Sequence, residues 1–408
     1  MTDDEKALFD QLRCYLNAFS KSWKDSRQRD LVALYLMGLM SDLKRKTLKS
    51  IALRFKDQTG IRNLQMFFNQ GKVLQDVMLA QHQHQVVERL GQNDGMVQLD
   101  GCDFKKKGSY SAGVARQYCE ELKRKENCQA GLFLGYSSRL GDTLMDRRLY
   151  MPEKWFDAEY RERCEACGVP KNLTFQTKGE LALAMLRQAK AIDVPFHWIG
   201  CDRVLGSDEA FLSALPKGCY YFSDVGENQL VFTKWPDMIR APAQRGRKRK
   251  DKRASLSPVQ VSSLAQEPTV PWEWTSFGDT MEKTKKLRVI RTKSAAGSER
   301  ARHPVEEVWL YIRQAENSRI RSFFSNAPVD IEPAELDRVS GLRLSIKPCF
   351  DVSKRDLGMD HYEFRSWNAW HLHMLLVMMA HLFTTQIQKE PMDSLQMRSR
   401  QIDVFHVE

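Results

Sequence analysis

Long hydrophobic runs are scarce in this chain of 408 residues. The most apolar one, WHLHMLLVMMAHLF at 370–383, is shorter than the roughly 18 residues that span a bilayer and carries three histidines. It predicts a buried helix and no membrane partner. The acidic opening MTDDEKALFD has no apolar signal core, which argues against secretion and for a cytoplasmic protein. Close cysteine pairs are lacking too: nine cysteines, an odd number, stand at irregular spacings and predict free thiols in a reducing compartment. CEAC (Cys164, Cys167) is the only close pair, and without a second pair or a suitably spaced histidine it reads as helix-surface and core cysteines ahead of a zinc site. A phosphate-cradling loop is missing, since GSYSAG lacks the lysine and the helix context, which argues against a P-loop ATPase. No repeat of fixed period is present, which argues against a solenoid.

What is present is ample core material. An apolar share of 42%, with 20 Phe, 9 Trp and 11 Tyr, predicts folded units with sizeable cores, and the length predicts two or three of them. Lys plus Arg outnumber Asp plus Glu by 63 to 52, a net charge of +11. That sign favours a polyanionic partner, either nucleic acid or an acidic membrane surface.

Proline and strand punctuation are nearly missing from residues 1 to about 92, where Leu31, Leu34, Met37 and Met40 recur at helical spacing. A helical lobe over 1–94 is the expectation. Inside it, LKRKTLKSIALRFKDQTGIRNLQMFF places a basic helix, a turn around Thr59 and Gly60, and an amphipathic helix. This fits either a helix-turn-helix reader of DNA or a plain bundle with solvated lysines. Over 95–202 the grammar is α/β: GMVQLD, AGLFLGYSS, LTFQT and FHWIGCD read as strands, and TKGELALAMLRQAKAID (177–193) as an amphipathic helix between two of them. Residues 241–268 break the pattern and predict a basic linker inside the segment 203–332, where seven of the nine residues from Arg245 to Arg253 are basic. Arg245, Arg247, Lys248 and Arg249 are candidates for phosphate contact with counterion release, against the alternative of a solvated charge run. CYYFSDV, QLVFTKW, LRVIRTK, EEVWLYIRQ and RIRSFFSNAP read as strands around it, and helices return over 333–408.

The stretch VQLDGCDFKKKG (97–108) crowds carboxylates against lysines. Asp100 ends the apolar run MVQLD, and Asp202 ends FHWIGCD, so the two aspartates are expected at the ends of core strands. Such a pair suits hard divalent ions, which in two-metal chemistry activate the attacking oxygen and stabilise the leaving one. Lys105, Lys106 and Lys107 would then hold the anionic oxygens of a phosphodiester. The alternative is that each aspartate only caps the element that follows it. His371 and His373 are two apart, which does not suit a shared ion on a helix, and His381 lies on a largely apolar face, so all three read as core histidines. Trp272 and Trp274 in PWEWTSFG either pack a strand pair or stack on a flipped base.

The stretches DFKKKGSYSAGVARQYCEELKRKENCQAGLFLGYSS (103–138), DRRLYMPEKW (146–155), FQTKGELALAMLRQA (175–189), FHWIGCDRVLG (196–206), FFSNAP (323–328) and LGMDHYEFRSWNAWHLHMLLVMMA (357–380) carry a family resemblance. In their order and spacing they resemble bacterial insertion-sequence transposases of the DDE type, also described as DDE superfamily endonucleases. LKRKTLKSIA (43–52) looks like part of the family's N-terminal lobe. The resemblance implies an α/β fold: an RNase H-like catalytic core with a helical N-terminal domain and a mostly β insertion. It also implies a bacterial, nucleoid-associated protein, a homodimer on double-stranded DNA that engages transposon ends and target. Two Mg²⁺ or Mn²⁺ ions would serve its strand cleavage and strand transfer. Carried over by position, Asp100 is the first catalytic aspartate and Asp202 the second, each a metal ligand.

The third acid is missing from its place. The family carries, on the helix after FFSNAP, a glutamate followed seven residues later by a lysine. In GLRLSIKPCFDVSKRDLGMDHYE (341–363), Lys354 stands at the lysine and Lys347 at the glutamate. Leu344 and Ser345 replace a usual Trp-Arg pair, Pro348 follows Lys347, and Gly101 replaces a commonly acidic residue. Two unit charges about 4 Å apart interact by roughly 4 kcal/mol at an effective dielectric near 20, and exchanging −1 for +1 beside a divalent ion multiplies that about fourfold before relaxation. A millimolar ion site is worth only about 4 kcal/mol. Lys347, if it points inward, is therefore expected to expel at least one ion. Asp351, one turn later, is the candidate replacement catalytic acid, or else a surface acid paired with Lys347 or Arg355. Lys354 is expected to contact a DNA phosphate near the cut. Two functions follow: a DDE transposase with weakened catalysis, or a catalytically inactive domesticated transposase acting as a DNA-binding repressor or architectural protein.

Overall fold

The first helix, α1 (Asp3–Asn17), starts where the sequence offers a capping box: the Thr2 hydroxyl accepts from the Glu5 N–H, and the Glu5 carboxylate accepts from the Thr2 N–H. Helix α2 (Ser26–Met40) is capped by Asp25 and buries an apolar run from Val32 to Leu39. Its Gly38 is required by contact, because a Cβ there would lie 2.4 to 2.7 Å from the Ile51 side chain. Ile51 belongs to α3 (Leu48–Phe55), which is followed by α4 (Gln58–Gln70) and α5 (Gln75–Leu90). Thr59 and Gly60 do not form the expected turn; they lie within the first turn of α4. The computed structural model describes residues 2–55, 58–70, 73–240, 252–295, 298–316 and 318–387. It divides into two compact units, Met1–Phe196 together with Leu344–Glu408, and His197–Arg343.

Strands β1 (Met96–Lys105), β2 (Ala115–Cys119), β3 (Arg124–Ser138) and β4 (Gly141–Tyr150) belong to the first unit. All pair antiparallel with β3: β1 on Cys128–Ser137, β2 on Arg124–Cys128 and β4 on Ala130–Ser138. After α6 (Arg161–Ala166), helix α7 (Lys178–Ala191) opens on a second capping box, Thr177 with Glu180. LTFQT is therefore not a strand, because its final threonine is spent on the cap and its backbone joins no ladder.

The second unit starts with β5 (Trp198–Cys201), α8 (Arg203–Gly206), α9 (Glu209–Ser213) and β6 (Tyr220–Val225), and β5 and β6 run parallel. There follow β7 (Leu230–Phe232), the ribbon of β8 (Met238–Arg240) with β9 (Lys252–Ala254), β10 (Val259–Gln260) and α10 (Val261–Ala265). Then come β11 (Glu273–Phe277), the long β12 (Thr280–Ala295) and β13 (Ser298–Gln314), β14 (Arg321–Ser325) and α11 (Pro333–Arg343). Neighbours pair in the order β10, β7, β12, β13, β14, β6, β5, with β11 on β12. Val231, Val261, Val289, Val308, Leu310 and Phe324 form its core, against which Trp272 packs. Arg343 is almost fully buried and bonds the Cys201 carbonyl at 3.3 Å and the Asp224 carboxylate at 2.8 Å.

Helices α12 (Ile346–Arg355) and α13 (Trp367–Leu382) return to the first unit. From Ala369 to Leu382, α13 is buried at every position but His371, as the apolar run predicts. Among the described residues no helix is long and apolar enough to cross a membrane. The fold is mixed α/β.

Candidate functional site

Helix α12 is fixed on the strands of the first unit by contacts at successive positions. The Ser345 hydroxyl lies 2.5 Å from that of Ser137, and the Gln98 amide donates to both, at 2.8 and 2.6 Å. Ile346 fills the space above Gly135, where a Cβ would stand 3.1 Å from its Cδ1. The Cys349 thiol donates to Asp142 Oδ2 at 3.0 Å, and the rings of Phe350 and Phe133 meet edge to face at 5.4 Å. Burial pushes up the pKa of both Cys349 and Asp142. Pro348 sits in the first turn, where the missing N–H has no helical partner to lose.

That seating sets Lys347 over Asp100. The ammonium nitrogen is 3.4 Å from Asp100 Oδ2, with the carboxylate side chain 7% exposed and the lysine 62% exposed. Asp100 does not end its strand. Cys102 and Phe104 continue the buried run, and the ladder holds to the Lys105–Cys128 pair, so Asp100 lies mid-strand opposite Phe133. Asp351 is exposed on α12, and it is Lys347 that reaches Asp100. Lys354, two turns beyond Lys347, donates to Glu121 at 2.9 Å and stands 5.8 Å above the Phe104 ring. Burial lowers its pKa, but the neighbouring Cys102 and Glu121 outweigh this and the net direction is upward.

The three lysines of the opening stretch part company. Lys105 is exposed and pairs with Glu126 at 3.5 Å. Lys106 turns inward, its ammonium 3.3 Å from the centroid of the Tyr362 ring and 3.3 Å from the Tyr362 carbonyl, and burial brings its pKa down to about 8. Lys107 is exposed. In the second unit, Asp202 stands just after β5 as the N-cap of α8, accepting from the Leu205 N–H at 2.9 Å. Arg245, Arg247, Lys248 and Arg249 lie outside the described residues.

The other candidates are occupied structurally. His373 bridges the Tyr35 hydroxyl at 2.9 Å and the Met359 carbonyl at 3.1 Å, and His381 meets Thr143 at 3.0 Å. His371 bonds the Trp367 carbonyl at 2.9 Å, and His82 that of Leu144 at 2.9 Å. Cys164 and Cys167 donate to the carbonyls of Trp155 and Tyr110. Trp274 is exposed on β11 with Lys283 5.2 Å over its ring.

Sequence reasoning missed Glu121, whose turn between β2 and β3 carries no motif. It also missed the buried Asp146 and Arg147 beside half-buried Arg148, with Asp146 accepting from Arg148 at 2.7 Å. At Asp100 the ammonium of Lys347, 3.4 Å from Oδ2, stands where a cation would otherwise meet the carboxylate. Among the described residues no group of three His, Cys, Asp or Glu is placed to hold a metal.

A family model described as DDE superfamily endonuclease matches residues 14–284. The match takes in Asp100 and Asp202 and ends before α12. No curated protein matches the chain.

Proposed function

The chain belongs to the DDE superfamily endonucleases, and from that premise we propose a transposase-type DNA-binding protein whose metal-dependent strand cleavage and strand transfer are held down by Lys347. The observation that carries the reading is the ammonium of Lys347 at 3.4 Å from the Asp100 carboxylate. Members of this family generally use divalent metal ions, whose part is to activate water and stabilise the leaving oxygen. Here the first aspartate is neutralised by a side chain that cannot perform either task.

The layout proposed with it is a helical DNA-binding lobe over 1–94, an RNase H-like core from 95–202 and 333–408, and a β-rich insertion over 203–332. The support is an all-helical start, α1 to α5, and a second unit dominated by antiparallel strands. The partner is double-stranded DNA, transposon ends and target, bound as a homodimer at the bacterial nucleoid. The net charge of +11 supports a polyanionic partner of this kind. Exposed Lys107 remains available to phosphate, whereas Lys105 pairs with Glu126, Lys106 is committed to Tyr362 and Lys354 to Glu121.

One observation favours the second reading, a catalysing transposase. The Lys347 side chain is 62% exposed, so rotation into solvent would return Asp100 to a Mg²⁺ ion. Binding to duplexes that carry the inverted repeats flanking the gene, followed by a cleavage assay in Mg²⁺ and Mn²⁺, separates the two. Repeat-specific binding without cleavage is the expected result. Cleavage abolished by Asp100→Ala would establish the active enzyme, and no preference for the repeats over scrambled DNA would overturn both.

A further inference from the structure

We infer that Lys347 is itself a phosphate ligand, so that this chain grips the DNA backbone without the divalent ions its family uses. The inference rests on the DNA-binding reading above. Its ground is the geometry of the Asp100–Lys347 pair. In a metal-bearing site the carboxylate serves to hold a cation against a phosphodiester oxygen. Here the carboxylate, 7% exposed, holds a cation that the chain supplies covalently.

The ammonium has three donors and stands 3.4 Å from Asp100 Oδ2 as an ion pair. Its side chain is 62% exposed, so donors can be offered to the oxygens of a phosphate. Ser345, Ile346, Cys349 and Phe350 fix the helix at the flanking positions, so the lysine's backbone is held beside the strand with Asp100 in reach of its ammonium. Asp100 lies beneath the ammonium and leaves its outer side open, although the carboxylate offsets part of the ammonium's charge. A metal ion and the ammonium would compete for the same carboxylate, so occupancy by one displaces the other.

The consequence is a DNA affinity that is insensitive to chelators and steeply sensitive to salt. The full-length protein is titrated against a duplex carrying the flanking repeat, at several salt concentrations, in EDTA and in Mg²⁺. The expected result is binding in EDTA at least as tight as in Mg²⁺. Lys347→Ala should weaken binding in EDTA by roughly tenfold and lower the slope of log affinity against log salt by about one. Lys347→Arg should restore both, which a merely structural role for the lysine would not require. Lys347→Glu should bind poorly in EDTA and recover in Mn²⁺. Wild-type binding that requires Mg²⁺, or an unchanged affinity in Lys347→Ala, overturns the inference and leaves the DNA-binding reading standing. Absence of duplex binding under every condition overturns that reading itself.

Discussion

Replacing Lys347 by glutamate should turn a closed ion site into an open one. At 3.4 Å the ammonium and the Asp100 carboxylate attract by about 5 kcal/mol at an effective dielectric near 20. Because the lysine is 62% exposed, solvent and rotamer entropy reduce the net worth of such a pair to about 1 kcal/mol. Losing the pair therefore costs the fold little. The charge balance at the carboxylate changes much more, since a neutral pair becomes two adjacent anions that a divalent cation bridges. A dissociation constant of 1 mM corresponds to about 4 kcal/mol, which two carboxylates sharing one ion can supply. Calorimetric titration of Mn²⁺ should show millimolar or tighter binding to Lys347→Glu, none to wild type in the same range, and none to Lys347→Glu combined with Asp100→Ala. A Lys347→Glu protein that melts near the wild-type temperature yet takes up no Mn²⁺ would refute the register assigned to α12. Wild-type binding that depends on Asp100 would refute displacement by the lysine.

Burial depresses the pKa of His82 and His381 to about 4 and that of His373 to about 3. Each folded pKa lies below its unfolded value, so the stability these groups contribute is present above about pH 6.5 and is lost as pH falls toward 4. The urea midpoint should drop between pH 7 and pH 5, and His381→Asn should flatten that drop; an unchanged slope would show that His381 titrates normally. Gly38→Ala should destabilise the first unit by about 1–3 kcal/mol despite its better helix propensity, because the new methyl meets Ile51, and denaturant melts will show the sign. Arg343→Met should cost roughly 2 kcal/mol or more, since it strips Asp224 and the Cys201 carbonyl of a buried donor. Cys349→Ala should lower stability by about 1 kcal/mol and leave duplex binding intact, measured by melting and anisotropy together.

The residues that revealed themselves in sequence did so through local physics. Helix α7 announced its face, and the histidine-bearing run at 370–383 could only be a buried helix. Asp202 as a residue at a strand's end was legible from the apolar word before it. Asp100 was legible as a strand residue, but its place mid-strand was not, because Gly101 and the following lysines mimic a turn and only the β3 ladder overrides them. LTFQT had strand composition without a partner strand, a fact no local window contains. The partners Glu121 and Tyr362 were invisible because they come from 233 and 256 residues away in the chain from Lys354 and Lys106. Asp351 is one helical turn from Lys347, and which of the two faces the strand depended on side-chain packing along α12 that spacing leaves open.

The firm seating of α12 bears on how this protein can change over generations. Its flanking residues hold the helix in place whatever stands at 347, and that side chain is mostly in solvent. Lysine and glutamate codons differ by one nucleotide. A point mutation that the scaffold barely registers would therefore suffice to exchange the cation fixed beside Asp100 for a second carboxylate, or the reverse.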